Sequence, residues 1–240
     1  MAGASRGRDV GDYVRQRDGA LRGISCDCLR QRTIPLTALP ISLNGEKISA
    51  LVVGGGKVGT RKAISLLSAG ATVRVIAPVV TLELIEAAAD NDSLAIDRRI
   101  YVGVDDIGEC QIVFAATDSP SVNATVAADA RSRFRLASVA DSPTEGSFIS
   151  MAVHRAGPVA IGVTAGNVPS AAGRIRDAVA ARFDDRYGDA VAACAQFRAE
   201  VLAEGGSAEW AKIHPMLIGA DFCARVENAT FSEELAACRS

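Results

Sequence analysis

The chain has 240 residues, 49% hydrophobic and 22% charged, with a formal net charge of −2. That is enough apolar material for a substantial core and for more than one structural unit. The near-neutral balance argues against nucleic acid or an anionic membrane as partner, and no apolar run approaches the roughly 18–20 residues of a membrane span.

Residues 1–33 differ from the rest. They carry Arg6, Arg8, Arg15, Arg17, Arg22, Arg30 and Arg32 with little apolar periodicity, and read as a poorly ordered tail or an over-extended start. They have no apolar stretch of the secretory kind, and Asp9, Asp12, Asp18 and Asp27 argue against an organellar transit peptide. Ordered structure is expected to begin at Ile34-Pro35-Leu36.

Apolar runs then alternate with helical patterns. The strands expected are Ile48–Val53, Thr72–Ile76, Leu94–Val102, Gln111–Ala116 and Phe134–Val139. Between them lie helices over Thr60–Ser68, Thr81–Asp90 and Ser121–Ser132, with Ala63, Leu66 and Leu67 turned inward on the first. Gly70 is placed to close that helix and Thr81 to cap the next. Thr117 or Asp118 could cap the third. This order implies a parallel sheet with helices on both faces, an α/β unit over residues 34–145.

The pattern changes after it. Ser147–His154 and Val159–Thr164 read as strands of an antiparallel hairpin with a Gly157-Pro158 turn, a small unit over 146–169. From residue 170 to 240 the chain is Ala-rich and helical, with helices expected over Ala171–Phe183, Tyr187–Leu202, Ala208–Ile218 and Asp221–Val226.

Cys26, Cys28, Cys110, Cys194, Cys223 and Cys238 are scattered, and no metal-ligand spacing links them. They read as reduced thiols, which places the protein in the cytoplasm. Only Lys47, Lys57, Lys62 and Lys212 are lysines; every other basic residue apart from the histidines is arginine. A coding bias explains scattered arginines, whereas a need for carboxylate-binding forks would also select them.

The most informative segment is Gly54-Gly55-Gly56-Lys57-Val58-Gly59. It follows a strand, opens a helix and is succeeded by another strand, the context that a Rossmann-type dinucleotide loop requires. Gly54 would permit the tight turn. Gly56 would let the backbone approach a pyrophosphate, and Gly59 would let the helix pack closely on the strand. The helix N-terminus would offer N–H groups and a positive dipole end to the phosphates. The second strand ends Val75-Ile76-Ala77-Pro78, without the acid that usually binds the adenosine ribose, so this position does not separate NAD from NADP. Ala115-Ala116-Thr117-Asp118 ends the fourth strand, at the carboxyl edge where such sheets bind ligands. Gly54, Gly55, Gly56, Lys57, Val58, Gly59, Ala77, Pro78, Thr117 and Asp118 are the candidate cofactor-binding residues.

Several segments then occur in a telling order. They are Leu39-Pro40-Ile41, the run from Val52 to Ala63 with Arg61-Lys62 behind the glycines, Ala115 to Asp118, Val139-Ala140-Asp141-Ser142-Pro143, Ser147-Phe148-Ile149 and Thr164 to Ser170. Over roughly Ile34 to Phe183 this series resembles the precorrin-2 dehydrogenase/sirohydrochlorin ferrochelatase family of siroheme synthesis. The resemblance implies a Rossmann domain, a hairpin contributing to an intertwined homodimer, and a helical C-terminal region. It implies NAD as hydride acceptor, a tetrapyrrole substrate and, in some members, Fe2+ inserted into the product.

It also implies a role for Asp141, which matches the family's catalytic aspartate. Oxidising precorrin-2 sends a hydride to NAD+ and a proton to a base, and a carboxylate can take that proton. Read from position alone, Asp141 could equally begin a turn with Ser142-Pro143. The substrate's carboxylates suggest arginine partners, for which Arg155, Arg174 and Arg176 are candidates, with Gly166 as a backbone donor. His154 is a weak candidate for handling iron, and otherwise a half-exposed hairpin residue. The chain departs from the family pattern at Ala165, Asn167 and Ser138 and lacks a proline after Phe148-Ile149, all on the tetrapyrrole side. Two alternatives stand beside this reading. One is a regulatory dinucleotide-binding domain, disfavoured by Ala77-Pro78; the other is a homologue that only chelates iron.

Overall fold

The computed structural model describes residues 39–166 and 168–239. The expected tail over 1–33, the start at Ile34-Pro35-Leu36, and Cys26, Cys28 and Asn167 lie outside the described residues. The chain divides into two units between Leu43 and Asn44, and every helix and strand among the described residues belongs to the second.

Five parallel strands form the main sheet: β1 (Ser49–Gly55), β2 (Thr72–Val80), β3 (Leu94–Asp97), β4 (Ile112–Ala115) and β5 (Leu136–Val139). Their spatial order is β3-β2-β1-β4-β5, so the chain reverses its direction of travel between β1 and β4. Helices α1 (Lys57–Leu67), α2 (Leu82–Ala89) and α3 (Pro120–Ser132) connect them. Side chains alternate across the sheet. Ala50, Val52, Val73, Val75 and Phe114 join Ala63 of α1 and Leu84 of α2 in one core. Leu51, Val53, Ile76, Val113 and Ala115 join Val126, Ala127 and Ala130 of α3 in the other. The strands are therefore apolar on both faces, as a sheet covered twice requires.

Several local expectations hold. Gly70 adopts φ +84°. The Ala71 N–H donates to Leu66 and the Gly70 N–H to Leu67, the paired closure that a left-handed glycine permits. Thr81 caps α2, its hydroxyl accepting from the Leu84 N–H. The hairpin pairs β6 (Ala152–Ala156) with β7 (Val159–Val163), antiparallel, through Gly157-Pro158. Gly157 has φ +52° and proline cannot follow it there, so only the first central position of the turn is left-handed.

Other expectations are corrected. Helix α1 begins at Lys57 rather than Thr60, because the second half of the glycine loop is itself the first helical turn. Strand β2 runs on to Val80, Gly55 pairing with Val80 across an irregularity. Strand β3 stops at Asp97 instead of Val102. Arg99 there forks onto Asp106 (2.5 and 3.0 Å), and the Val102 N–H donates to the same carboxylate. That folds the chain back into a short 3-10 turn, Val104–Ile107. Strand β5 begins at Leu136; Phe134 is instead an exposed left-handed residue closing α3. Residues 147–151 are not strand. The Ser147 hydroxyl accepts from the Ala137 N–H, and Phe148 meets Phe114 edge-on at 5.3 Å.

Neither Thr117 nor Asp118 caps α3. Ser119 does so, with Pro120 behind it at the first helical position. The helical region comprises α4 (Pro169–Ala180), α5 (Asp185–Glu204), α6 (Gly206–Leu217), α7 (Phe222–Glu227) and α8 (Phe231–Arg239). Helix α8 adds to the four expected, and Thr230 and Glu233 have the capping-box spacing that announces it. Tyr187, Phe197, Leu217, Val226, Phe231 and Leu235 form the core of this region. The four described cysteines are free. No helix among the described residues is long and apolar enough to cross a membrane.

Candidate functional site: a cleft at the sheet's switch point

Where the connections of an open α/β sheet change direction, two neighbouring loops part and leave a crevice at the carboxyl ends of the strands. Here that point lies between β1 and β4, and a cleft of about 830 Å³ opens there. Its volume is within the range of small-molecule sites, roughly 300–1,000 Å³. The glycine loop, the ends of β2 and β4, and Ile100 and Tyr101 line it.

The glycines do separate work. Gly54 has φ +116°, and a Cβ on it would lie 2.3 Å from the Ala116 carbonyl oxygen. A Cβ on Gly59 would lie 1.9 Å from the Gly54 oxygen and 3.5 Å from Val52 Cγ1, so this glycine sets the helix–strand spacing. Gly56 is different. It has φ −76° and would meet nothing within 4 Å, yet it lines the cleft. A side chain there would occupy the cleft rather than clash with protein. Gly56 also stands at the N-cap of α1 with no side chain capping the helix. The first N–H groups of α1 are thus left for an anion. A dinucleotide pyrophosphate fits this arrangement.

Of the ten candidate cofactor residues, nine line the cleft: Gly54, Gly55, Gly56, Lys57, Val58, Ala77, Pro78, Thr117 and Asp118. Gly59 does not, and acts instead through packing. Lys57 and Asp118 are the only charged side chains lining the cleft among the described residues. The β2 end supplies Pro78, Val79 and Val80, an apolar surface where an acid is usual. The Thr81 hydroxyl is spent on the Thr60 hydroxyl (2.7 Å) and the α2 cap. Arg61 and Lys62, behind the loop, do not line the cleft. Lys62 lies over the Phe114 ring at 5.5 Å, where burial, with Arg61 adding to it, holds its ammonium below the usual lysine range.

Sequence reasoning missed Ile100 and Tyr101, which follow the end of β3 and line the cleft. The Tyr101 hydroxyl donates to Asp129 at 2.8 Å, and burial, then that carboxylate, pushes the phenol upward. It also missed Asn123. This side chain is fully buried on α3. Its Oδ1 accepts from the Thr117 N–H (3.1 Å) and the Thr117 hydroxyl (2.8 Å). Its Nδ2 donates to the Thr117 carbonyl (3.1 Å) and to Asp141 Oδ1 (2.8 Å). A signal did exist. Asn123, Val126, Ala127 and Ala130 share the buried stripe of α3, and a polar residue at a core position requires a reason.

Asp141 is exposed just past β5, beside the end of β4, and the Ala140 N–H donates to the Ala115 carbonyl. The substrate candidates lie elsewhere. Arg155 on β6 and Arg174 on α4 are exposed, Gly166 is exposed with φ +56°, and Arg176 is paired with Asp177; none lines the cleft. His154 Nε2 lies 2.5 Å from the Phe183 carbonyl oxygen. Among the described residues no three His, Cys, Asp or Glu side chains gather as a metal site.

Sheet order, glycine loop and cleft define a dinucleotide-binding protein of the Rossmann type. Residues 41–152 match the family model described as "Putative NAD(P)-binding". The chain is 36% identical over 155 residues to the siroheme synthase of Pseudomonas entomophila strain L48, covering 64% of this chain and 33% of that protein. It is 37% identical over 160 residues to the siroheme synthase of Pseudomonas putida strain W619, covering 66% and 34%. Its fold matches that of SirC, precorrin-2 dehydrogenase, with a TM-score of 0.68 at 22% identity, over 83% of this chain and all of that one. Over about two thirds of its length the chain is thus similar to siroheme synthases. It spans about a third of the length of the siroheme synthases it matches.

Proposed function

We propose that this chain oxidises precorrin-2 to sirohydrochlorin with NAD+ as acceptor, in siroheme biosynthesis. One observation carries the proposal: Asp141 stands at the sheet edge next to the cleft and is hydrogen-bonded through Asn123 to Thr117 in the cleft wall. Its kinship with siroheme synthases supports the choice of substrate.

The N–H groups opening α1 at Gly56, Lys57 and Val58 would hold the pyrophosphate, and Lys57 adds a positive charge. When bound, the nicotinamide supplies the acceptor for a hydride leaving the substrate. The proton lost with that hydride goes to the Asp141 carboxylate, which is acceptor-only when ionised. Two hydrogens thus leave the substrate, one as hydride and one as proton. The apolar β2 end and Ile100 would exclude water from the nucleoside.

Anaerobic turnover of precorrin-2 with NAD+, followed by sirohydrochlorin absorbance, tests the reading. Folded protein that forms no NADH refutes it and leaves a regulatory nucleotide-binding role. Fe2+ insertion is tested separately, by asking whether sirohydrochlorin plus Fe2+ without NAD+ gives siroheme faster than the uncatalysed rate. The exposed apolar side chains Ile149, Val153, Val168 and Ile175 on and around the hairpin and α4 support its use as a homodimer surface. A monomeric mass in solution at micromolar concentration refutes that use.

A further inference from the structure

We infer that Asn123 is a positioning residue, which holds the Asp141 carboxylate in fixed relation to the nucleotide cleft. The inference rests on the reading of Asp141 as proton acceptor.

A side-chain amide has two N–H donors and two acceptor lone pairs. All four of Asn123 are used within a fully buried site. Its orientation follows from its partners. Oδ1 faces the Thr117 N–H, which can only donate, and Nδ2 faces the Thr117 carbonyl, which can only accept. A flipped amide would set donor against donor and acceptor against acceptor. The second N–H is thereby aimed at Asp141 Oδ1, 2.8 Å away.

One residue thus holds the backbone N–H and the carbonyl of Thr117, with its hydroxyl, and the carboxylate of Asp141 with the donor that remains. Thr117 lines the cleft at the end of β4, and Asp141 follows the end of β5. Asp141 is itself exposed, and its only side-chain hydrogen bond among the described residues is the one from Asn123. Without that bond the carboxylate would turn freely toward water. A displacement of about 1 Å in a reacting group costs up to roughly 100-fold in rate. Capping of α3 needs no such residue, since Ser119 performs it.

The informative substitution is Asn123→Asp. It keeps the acceptor oxygen facing the Thr117 N–H and replaces the donor that serves both Asp141 and the Thr117 carbonyl with a second carboxylate oxygen. The expected result is a fall in kcat for precorrin-2 oxidation of about 10- to 100-fold, with the NAD+ Kd and the KM for precorrin-2 within about three-fold of wild type. A crystal structure of the variant is expected to show the Asp141 carboxylate rotated away from Thr117. Asn123→Ser, whose hydroxyl cannot span to Asp141, is judged by the same measures should the aspartate variant not fold. Unchanged kcat in the folded variant overturns the inference. So does a loss of kcat that merely follows equal losses in NAD+ affinity and melting temperature, the signature of a structural role. Wild-type protein that fails to oxidise precorrin-2 refutes the functional reading instead. The inference is then decided by the crystal structure, and an Asp141 carboxylate left in its wild-type position overturns it.

Discussion

Gly56→Ala separates a glycine kept for a ligand from one kept for the fold. At φ −76° and ψ −174° the backbone is in the extended region that alanine adopts freely, and the added Cβ would meet nothing within 4 Å. Replacing glycine by alanine at a compatible position stabilises by about 0.4–1 kcal/mol, through the entropy of the unfolded chain, and the N-cap preference for glycine over alanine offsets this by a similar amount. For a protein of this size the melting temperature of the free protein should therefore stay within about 2 °C of wild type. Nucleotide binding should not be spared. The methyl would stand in the cleft at the opening of α1, where the phosphates are to approach. Each lost hydrogen bond to a charged group costs about 1.5–3 kcal/mol, or roughly 10- to 100-fold in Kd. Thermal denaturation with and without NAD+ reads both effects. At 100 times its Kd, NAD+ stabilises wild type by about 2.7 kcal/mol, a shift of about 5–10 °C. At the same concentration a variant binding 100-fold more weakly gains about 0.4 kcal/mol, or 1–2 °C. A variant that keeps the full NAD+ shift would refute the placement of the pyrophosphate at Gly56.

Gly59→Ala makes the contrast. Its Cβ would fall 1.9 Å from the Gly54 oxygen, so α1 must move off β1, at a cost of about 1–3 kcal/mol, with loss of NAD+ affinity as well; calorimetry and titration report the two together. Asp141→Asn removes the proposed proton acceptor and is expected to lower kcat about 10²–10⁴-fold with NAD+ affinity retained, as measured by anaerobic turnover and isothermal titration. The hydrogen bond from Arg99 holds the Asp106 carboxyl below its usual value of 3.8. A carboxyl depressed by folding stabilises the protein above its unfolded pKa, and that contribution is lost as pH falls through the folded value. Asp106→Asn should therefore melt a few degrees below wild type near neutrality, and the gap should close below about pH 4. A gap that stays constant from pH 7 to pH 3 excludes this assignment.

Whatever depends on residues near one another in the chain was legible in the amino-acid order alone. The left-handed closure at Gly70, the Thr81 cap, the Gly157-Pro158 turn and the positions of the strands follow from local sterics and from runs of apolar side chains. The placement of Gly54, Gly55, Gly56, Lys57 and Val58 along the cleft was legible for the same reason, because such a glycine loop is a short-range device joining one strand to the next helix. Its first turn was misread because Gly59 is a poor helix former by propensity, whereas here it lies inside α1, where the lack of a side chain lets the helix lie close against Gly54.

The remainder needed the folded chain. Strand β3 stops early because Arg99 finds Asp106, a carboxylate seven residues on that no strand pattern reveals. Ile100 and Tyr101 line the cleft beside that ion pair, past the end of β3, where a strand pattern would have carried them along the sheet. Asn123 looks like an error in an apolar helical stripe until Thr117 and Asp141, from two different strand ends, close around it. Periodicity reports which face of an element is buried. Only the assembled sheet, by setting the ends of β4 and β5 side by side, decides which polar group a buried amide will meet there.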